Sequence, residues 1–190
     1  MADKPVYQLH IRLEDIDPPV WRRVLVPGGI RLSKLHDIFQ TTMGWTDSHL
    51  HNFTIGDQLY GMQFDDYPEE ELDETEYMVQ PVLGTVVERF VYDYDFGDSW
   101  SHEVTVEDFA WSPYVLKYVV CLDGEGACPP EDVGGAGGYA HFLEAMNNPL
   151  HDEHDSYREW IGNHRDWIGL RFDPTEFNIA AINAALQRRR

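Results

Sequence analysis

Cysteine is nearly missing from this chain: Cys121 and Cys128 are the only two among 190 residues. Two thiols with six residues between them build no disulfide framework and match neither a redox nor a zinc CxxC spacing. Long apolar runs are also missing. Nothing approaches the roughly 18–20 residues needed to cross a membrane, and MADKPVYQLHIRL lacks the basic-then-apolar order of a signal peptide. The expectation is a cytoplasmic protein without membrane contact. Basic residues are the third scarcity, with 14 Lys and Arg against 34 Asp and Glu and a net charge of −20. From Leu35 to Leu116 there are 18 acids and one base, Arg89, and DDYPEEELDETE at 65–76 holds eight acids in twelve positions. Nucleic-acid affinity rests on Lys and Arg neutralising phosphates, so nucleic acid is an unlikely partner and a basic protein the natural one. Arg22-Arg23 and Arg188-Arg189-Arg190 read as a strand pair and a helix end. Nothing in the sequence speaks to oligomeric state.

What is present fits one globular domain over residues 1–190, with 43% apolar and 13% aromatic residues. Tyr7, Leu9, Ile11 and Leu13 alternate with polar residues, which predicts a half-buried strand. VWRRVLVP predicts a second strand and HLHNFTI a third. Leu32, Leu35, Ile38, Phe39 and Met43 share a helical face, with Ser33 as cap and Gly44 in the left-handed closing position. The 65–76 stretch has no period and reads as a loop or insertion. Phe90, Tyr92, Tyr94 and Phe96 alternate before Gly97-Asp98-Ser99, and Trp100, His102, Val104 and Val106 after it. A three-residue hairpin loop with a glycine-assisted bulge puts both sets on one face. YVLKYVVCL is apolar on both alternations and reads as a strand covered on both sides. A helix over Tyr139 to Met146 begins near Gly138, and DEHDSYREWIG reads as a short helix. DPTEFNIAAINAALQRRR predicts a last helix with Asp173 as cap and Pro174 at its first position. The class is α+β: an antiparallel sheet rich in the first two thirds, packed on helices, with a mostly helical final third.

Four stretches together resemble the plasmid pRiA4b ORF-3-like family. They are VWRRVLVP…LHDIFQTTMGW…HLHNF, YDYDFGDSW-x-H, GEGACPPEDVGGAGGY and FDPTEFNIAAIN, in that order from about Val6 to Leu186. The resemblance implies a compact α+β domain with an antiparallel sheet flanked by helices. It implies no activity. Some members are linked by name to plasmids or insertion elements, which points to an accessory role in mobile-element DNA transactions by association alone. The acidic 65–76 stretch lies outside the shared pattern.

Candidate site residues fall into two groups. His49 and His51 share a strand face, while Asp95, Asp98 and His102 lie in or beside the DFGDSW turn. Imidazole with carboxylate suits zinc, manganese or iron(II), so these five form the candidate divalent-metal set. Asp93 is a further carboxylate there, and His151 with His154 an i, i+3 pair. The second group is the ligand or partner loop of Cys128, Glu131, Asp132, Gly134, Gly135, Gly137 and Gly138. Residues 135–140 satisfy GxGxxA, but CPPEDVG separates them from the preceding strand, and no GK[ST] follows. The loop reads as architecture, with glycines for tight backbone approach. No organic cofactor is implied. The first reading is a binding or interaction module with an acidic surface. The competing one is a metal-dependent hydrolase built on the His/Asp set, and the third is the DNA-transaction role.

Overall fold

A computed structural model describes residues 4–63, 71–112, 119–163 and 172–188. Among the described residues, eight strands form one sheet. They are β1 (Lys4–Leu13), β2 (Trp21–Pro27), β3 (His51–Ile55), β4 (Gln58–Gly61), β5 (Leu72–Asp73), β6 (Arg89–Tyr94), β7 (Trp100–Ser112) and β8 (Val120–Glu125). Their order is β5-β4-β3-β6-β7-β1-β2-β8, antiparallel except for the β4–β5 pair. Five helices accompany them among the described residues: α1 (Leu32–Met43), α2 (Val79–Leu83), α3 (Gly135–Asn147), α4 (His154–Asn163) and α5 (Ile179–Arg188). The fold is a mixed α/β one in which α3, α4 and α5 all follow the last strand.

One sheet face carries the core, as period-two alternation requires. Tyr7, Leu9, Ile11 and Leu13 of β1 are buried, as are Val24 and Val26 of β2 and Phe53 of β3. Helix α1 lies on this face, with Phe39 edge-on to Tyr92 and to Phe53. Gly44 closes α1 at φ 100, and its N–H reaches Gln40 O. Ser33 does not cap the helix: Arg31 stands at the cap position without a side-chain bond, and Leu32 N–H is taken by Tyr77 O instead. A neighbouring main chain has replaced the side-chain cap.

The β6–β7 register pairs Tyr94 with Trp100, Tyr92 with His102 and Phe90 with Val104, so both aromatic sets do share the buried face. The connection is longer than expected. Residues 95–99 form it, Phe96 stands 51% exposed, and the left-handed positions are Asp95 (φ 55) and Ser99 (φ 58) rather than Gly97. Asp95 Oδ1 accepts from Gly97 N–H at 3.0 Å and Asp98 N–H at 3.3 Å, the local bonding that lets aspartate hold this conformation.

Three further expectations change. Strand β8 is not covered on both sides: it is a sheet edge, and Cys121 is buried while Leu122 is 39% exposed; residues 114–118 of that apolar run lie outside the described residues. The acidic stretch is partly ordered structure: residues 71–76 include β5 and a buried Glu74, while 65–70 lie outside the described residues. The last helix starts at Ile179, because Asp173 Oδ1 takes Thr175 N–H and Oγ1 in a local turn and Asn178 Oδ1 receives Ala181 N–H. Among the described residues no helix is long and apolar enough to cross a membrane.

Candidate metal centre

The segment from Trp45 to His49 joins α1 to β3, and each of its residues is fixed. Trp45 packs on Tyr94 and donates to Pro129 O at 3.2 Å. Thr46 N–H donates to Glu131 Oε1 at 2.8 Å, Asp47 N–H to Gln40 Oε1 at 2.9 Å and Ser48 N–H to Tyr94 Oη at 3.1 Å. This pinning delivers His49 to a meeting point of three loops. Its Nε2 lies 3.2 Å from Asp132 Oδ1, 3.5 Å from Asp95 Oδ2 and 3.9 Å from Glu131 Oε2. That nitrogen is itself buried and makes no hydrogen bond.

The carboxylates differ in setting. Asp95 and Glu131 are buried, whereas the Asp132 side chain is 70% exposed and opens the group to solvent. Glu131 Oε1 also accepts from Thr46 Oγ1 and Tyr94 Oη, both at 3.1 Å. Burial raises the Tyr94 hydroxyl, the largest effect on it, so it remains a donor to that carboxylate. Asp95 (φ 55) and Asp132 (φ 58) both hold left-handed backbone, a strain that persists only where surroundings enforce it.

The helix expected to begin near Gly138 begins at Gly135, so Gly134 is its N-cap and Gly135, Gly137 and Gly138 form its first turn rather than a loop, and this turn supplies the closeness. Asp98 Oδ2 accepts from Gly134 N–H at 3.0 Å, and a Cβ on Gly135 would stand 2.4 Å from Asp98 O. A Cβ on Gly138 would stand 2.0 Å from Val133 O. Gly134 sits at φ 94, whereas Gly137 faces open space and meets no such constraint. Cys128 is buried, and that burial pushes its thiol far up, away from nucleophile chemistry.

The expected metal set is thus divided in space. His49 and Asp95 come together, joined by Asp132 and Glu131 from the loop group. Asp98 ties the loops from outside. His51 faces away into a second cluster, with Nε2 2.9 Å from Glu74 Oε2 and its ring stacked on His36. His102 is fully buried; its Nδ1–H donates to Tyr92 O at 3.0 Å, and burial holds the imidazole down at about 4, so it is neutral. His151 pairs with His141 and Glu153 at the α3–α4 corner, while His154 Nδ1 bonds Ala145 O. Sequence reasoning passed over His36 and Gln40. Their signal was available, since polar residues at 36 and 40 interrupt the apolar face of α1.

The geometry suits a cation. Donors around a tetrahedral ion lie roughly 3.3 Å apart and around an octahedral one roughly 3.0 Å apart, given bonds of about 2.0–2.2 Å. The gaps of 3.2, 3.5 and 3.9 Å from His49 Nε2 straddle and slightly exceed that range, so small side-chain movements would close the shell.

The chain is 36% identical over 182 residues to the "Uncharacterized protein y4hQ" of Sinorhizobium fredii, covering 95% of this chain and 90% of that one. It is also similar to a crystal structure of protein of unknown function MM3350 from Methanosarcina mazei Go1. That match has 29% identity and a TM-score of 0.81, covering 93% of this chain and 97% of the other. Residues 5–181 match the family described as "Plasmid pRiA4b ORF-3-like protein", and the chain belongs to that family.

Proposed function

We propose that this chain is a divalent-metal-dependent hydrolase. His49, Asp95 and Asp132 are the ligands, and Glu131 is either a fourth ligand or the group that orients the water. The observation carrying this reading is one unbonded imidazole nitrogen facing three carboxylate oxygens at 3.2–3.9 Å. One nitrogen with several hard oxygens favours manganese, iron(II) or zinc over softer ions. A bound cation would offset the carboxylate charge and acidify a water on the open Asp132 side, making a nucleophile at neutral pH. Tyr94 Oη and Thr46 hold Glu131 in place, so the buried half of the shell is formed in advance.

The test is metal content and turnover of protein purified without a histidine tag. Dialysis against manganese or zinc is expected to leave an equivalent that His49→Ala and Asp95→Asn lose. Metal-dependent hydrolysis of p-nitrophenyl acyl or phosphate esters is expected to vanish in Asp132→Asn. Retention of the same metal content by all three variants sinks the reading. A second reading, an interaction module for a basic protein, is favoured by the 18 acids and single base between residues 35 and 116. It takes precedence if no metal binds near pH 8.

A further inference from the structure

A separate polar cluster lies beneath α1. His36 and His51 are both buried, and their rings stack at 3.4 Å with planes 7° apart. His51 Nε2 lies 2.9 Å from Glu74 Oε2, with both side chains 5% exposed or less. If Nε2–H donates to that carboxylate, Nδ1 is left as a bare lone pair. Nδ1 is indeed buried and without a hydrogen bond. An unpaired buried acceptor costs about 1–3 kcal/mol, so its persistence calls for a partner. A carboxylate holding one imidazole nitrogen while the other faces outward is the arrangement by which proteins orient metal-ligating histidines.

The remaining donors are adjacent. His36 Nε2 lies 2.9 Å from Asp47 Oδ1, and His36 Nδ1 lies 2.8 Å from Tyr92 Oη. One ring nitrogen of each histidine and one Asp47 oxygen all fall within 4.8 Å of one another. Charge points the same way. Glu74 is 4% exposed, and its ion pair is to an imidazole, as is that of Asp47. A buried carboxylate such as Glu74 is stable only with hydrogen-bond donors or positive charge beside it, and Asp47 adds a second carboxylate at the solvent edge of the cluster.

We propose that His36, Asp47 and His51 bind a second divalent cation, with Glu74 orienting His51 and Tyr92 accepting from His36 Nδ1–H. Two imidazoles and one carboxylate make this a zinc-type site. Asp47, whose side chain is 47% exposed, provides the way in. The ion ties α1, the 45–49 segment, β3 and the Glu74 turn together. It therefore braces the segment that carries His49, without using any residue of the first site.

The experiment first removes the His49 site and the His141, His151 and Glu153 corner, whose ligand-type atoms also lie within 4.8 Å of one another. A His49→Ala/His141→Ala protein, dialysed against zinc and then buffer, is expected to retain one equivalent and to melt higher with zinc than without. Adding Asp47→Asn keeps a residue that tolerates left-handed backbone and should weaken zinc binding by at least about tenfold. Adding Glu74→Gln preserves a hydrogen-bond acceptor for His51 and should weaken it by about 10–100-fold. Circular dichroism of each variant checks folding. A double variant that takes up no zinc overturns the proposal. So does zinc affinity unchanged by both Asp47→Asn and Glu74→Gln. Because His49 is absent throughout, these outcomes leave the hydrolase reading to its own test.

Discussion

Gly138 and Gly97 look alike in sequence and differ in the fold. A Cβ at 138 would meet Val133 O at 2.0 Å, main chain that cannot swing aside. A Cβ at 97 would meet only Asp95 Oδ1 at 3.2 Å, and Gly97 is not in the left-handed region. Gly138→Ala is therefore expected to cost about 1–3 kcal/mol and Gly97→Ala clearly less, read as melting temperatures of the two variants. Equal shifts would mean that the 133–138 turn can relax. His102 gives a second test at this scale. Its folded pKa, about 4, lies below the ordinary 6.5. As pH falls below about 6.5 the unfolded chain gains a proton that the folded one refuses, so stability drops until about pH 4 and this contribution then levels off. The slope from this one group approaches about 1.4 kcal/mol per pH unit. Denaturant titrations between pH 7 and 4 should show a flatter profile for His102→Leu than for the parent chain. An identical profile would assign the acid slope to other groups.

Elements raise the question of what closes the sheet. Strand β8 is an edge, and an open edge invites pairing with another chain. Asn183 of α5 closes part of it: Oδ1 accepts from Cys121 N–H and Nδ2 donates to Cys121 O, both at 2.9 Å. The amide thus imitates a neighbouring strand for one residue. Asn183→Leu is expected to destabilise by about 1–3 kcal/mol and to speed amide exchange at Cys121, measured by hydrogen exchange. Unchanged exchange at that amide would refute the clamp. This contact also marks where sequence reading stops. The parity of Tyr92, Tyr94, Trp100 and His102 was readable because burial of one face forces it. The start of α5 was not, because Asp173 has a choice between capping a helix and closing a turn with Thr175, and only tertiary packing decides. His49 and Asp95 were readable as metal-type residues. Asp132 falls in a different group, since the separation of 36 positions between Asp98 and Gly134 gives no hint that these two bond. Glu74 was unreadable for a related reason: nothing in a stretch with eight acids among twelve positions marks Glu74 as buried.

At the scale of the whole molecule, charge is the dominant fact. A net −20 spread over 190 residues sets up self-repulsion that no single ion pair offsets. The favourable pairs are few and local. The Arg23–Glu107 pair at 2.5 Å is strong enough to hold Glu107 at about 2, chiefly through its hydrogen bond to Arg23, but it sits on the outer sheet face among other exposed groups. Screening weakens repulsion and attraction alike, so the sign of the salt effect reports which prevails. With 34 acids against 14 bases, repulsion is the larger sum. Raising sodium chloride from about 20 to 300 mM shortens the screening length from roughly 20 Å to 6 Å and should raise the melting temperature. The same field should keep duplex and single-stranded DNA unbound in mobility-shift assays at about 150 mM salt. A melting temperature that falls with salt would show that attractive pairs carry the surface. DNA retained at that salt would require a basic patch that this charge distribution does not supply. A chain with so much uncompensated carboxylate gains most from divalent cations, so micromolar zinc or manganese should exceed the stabilisation given by hundreds of millimolar sodium. Failure of micromolar zinc or manganese to raise the melting temperature at constant sodium chloride would count against both proposed centres.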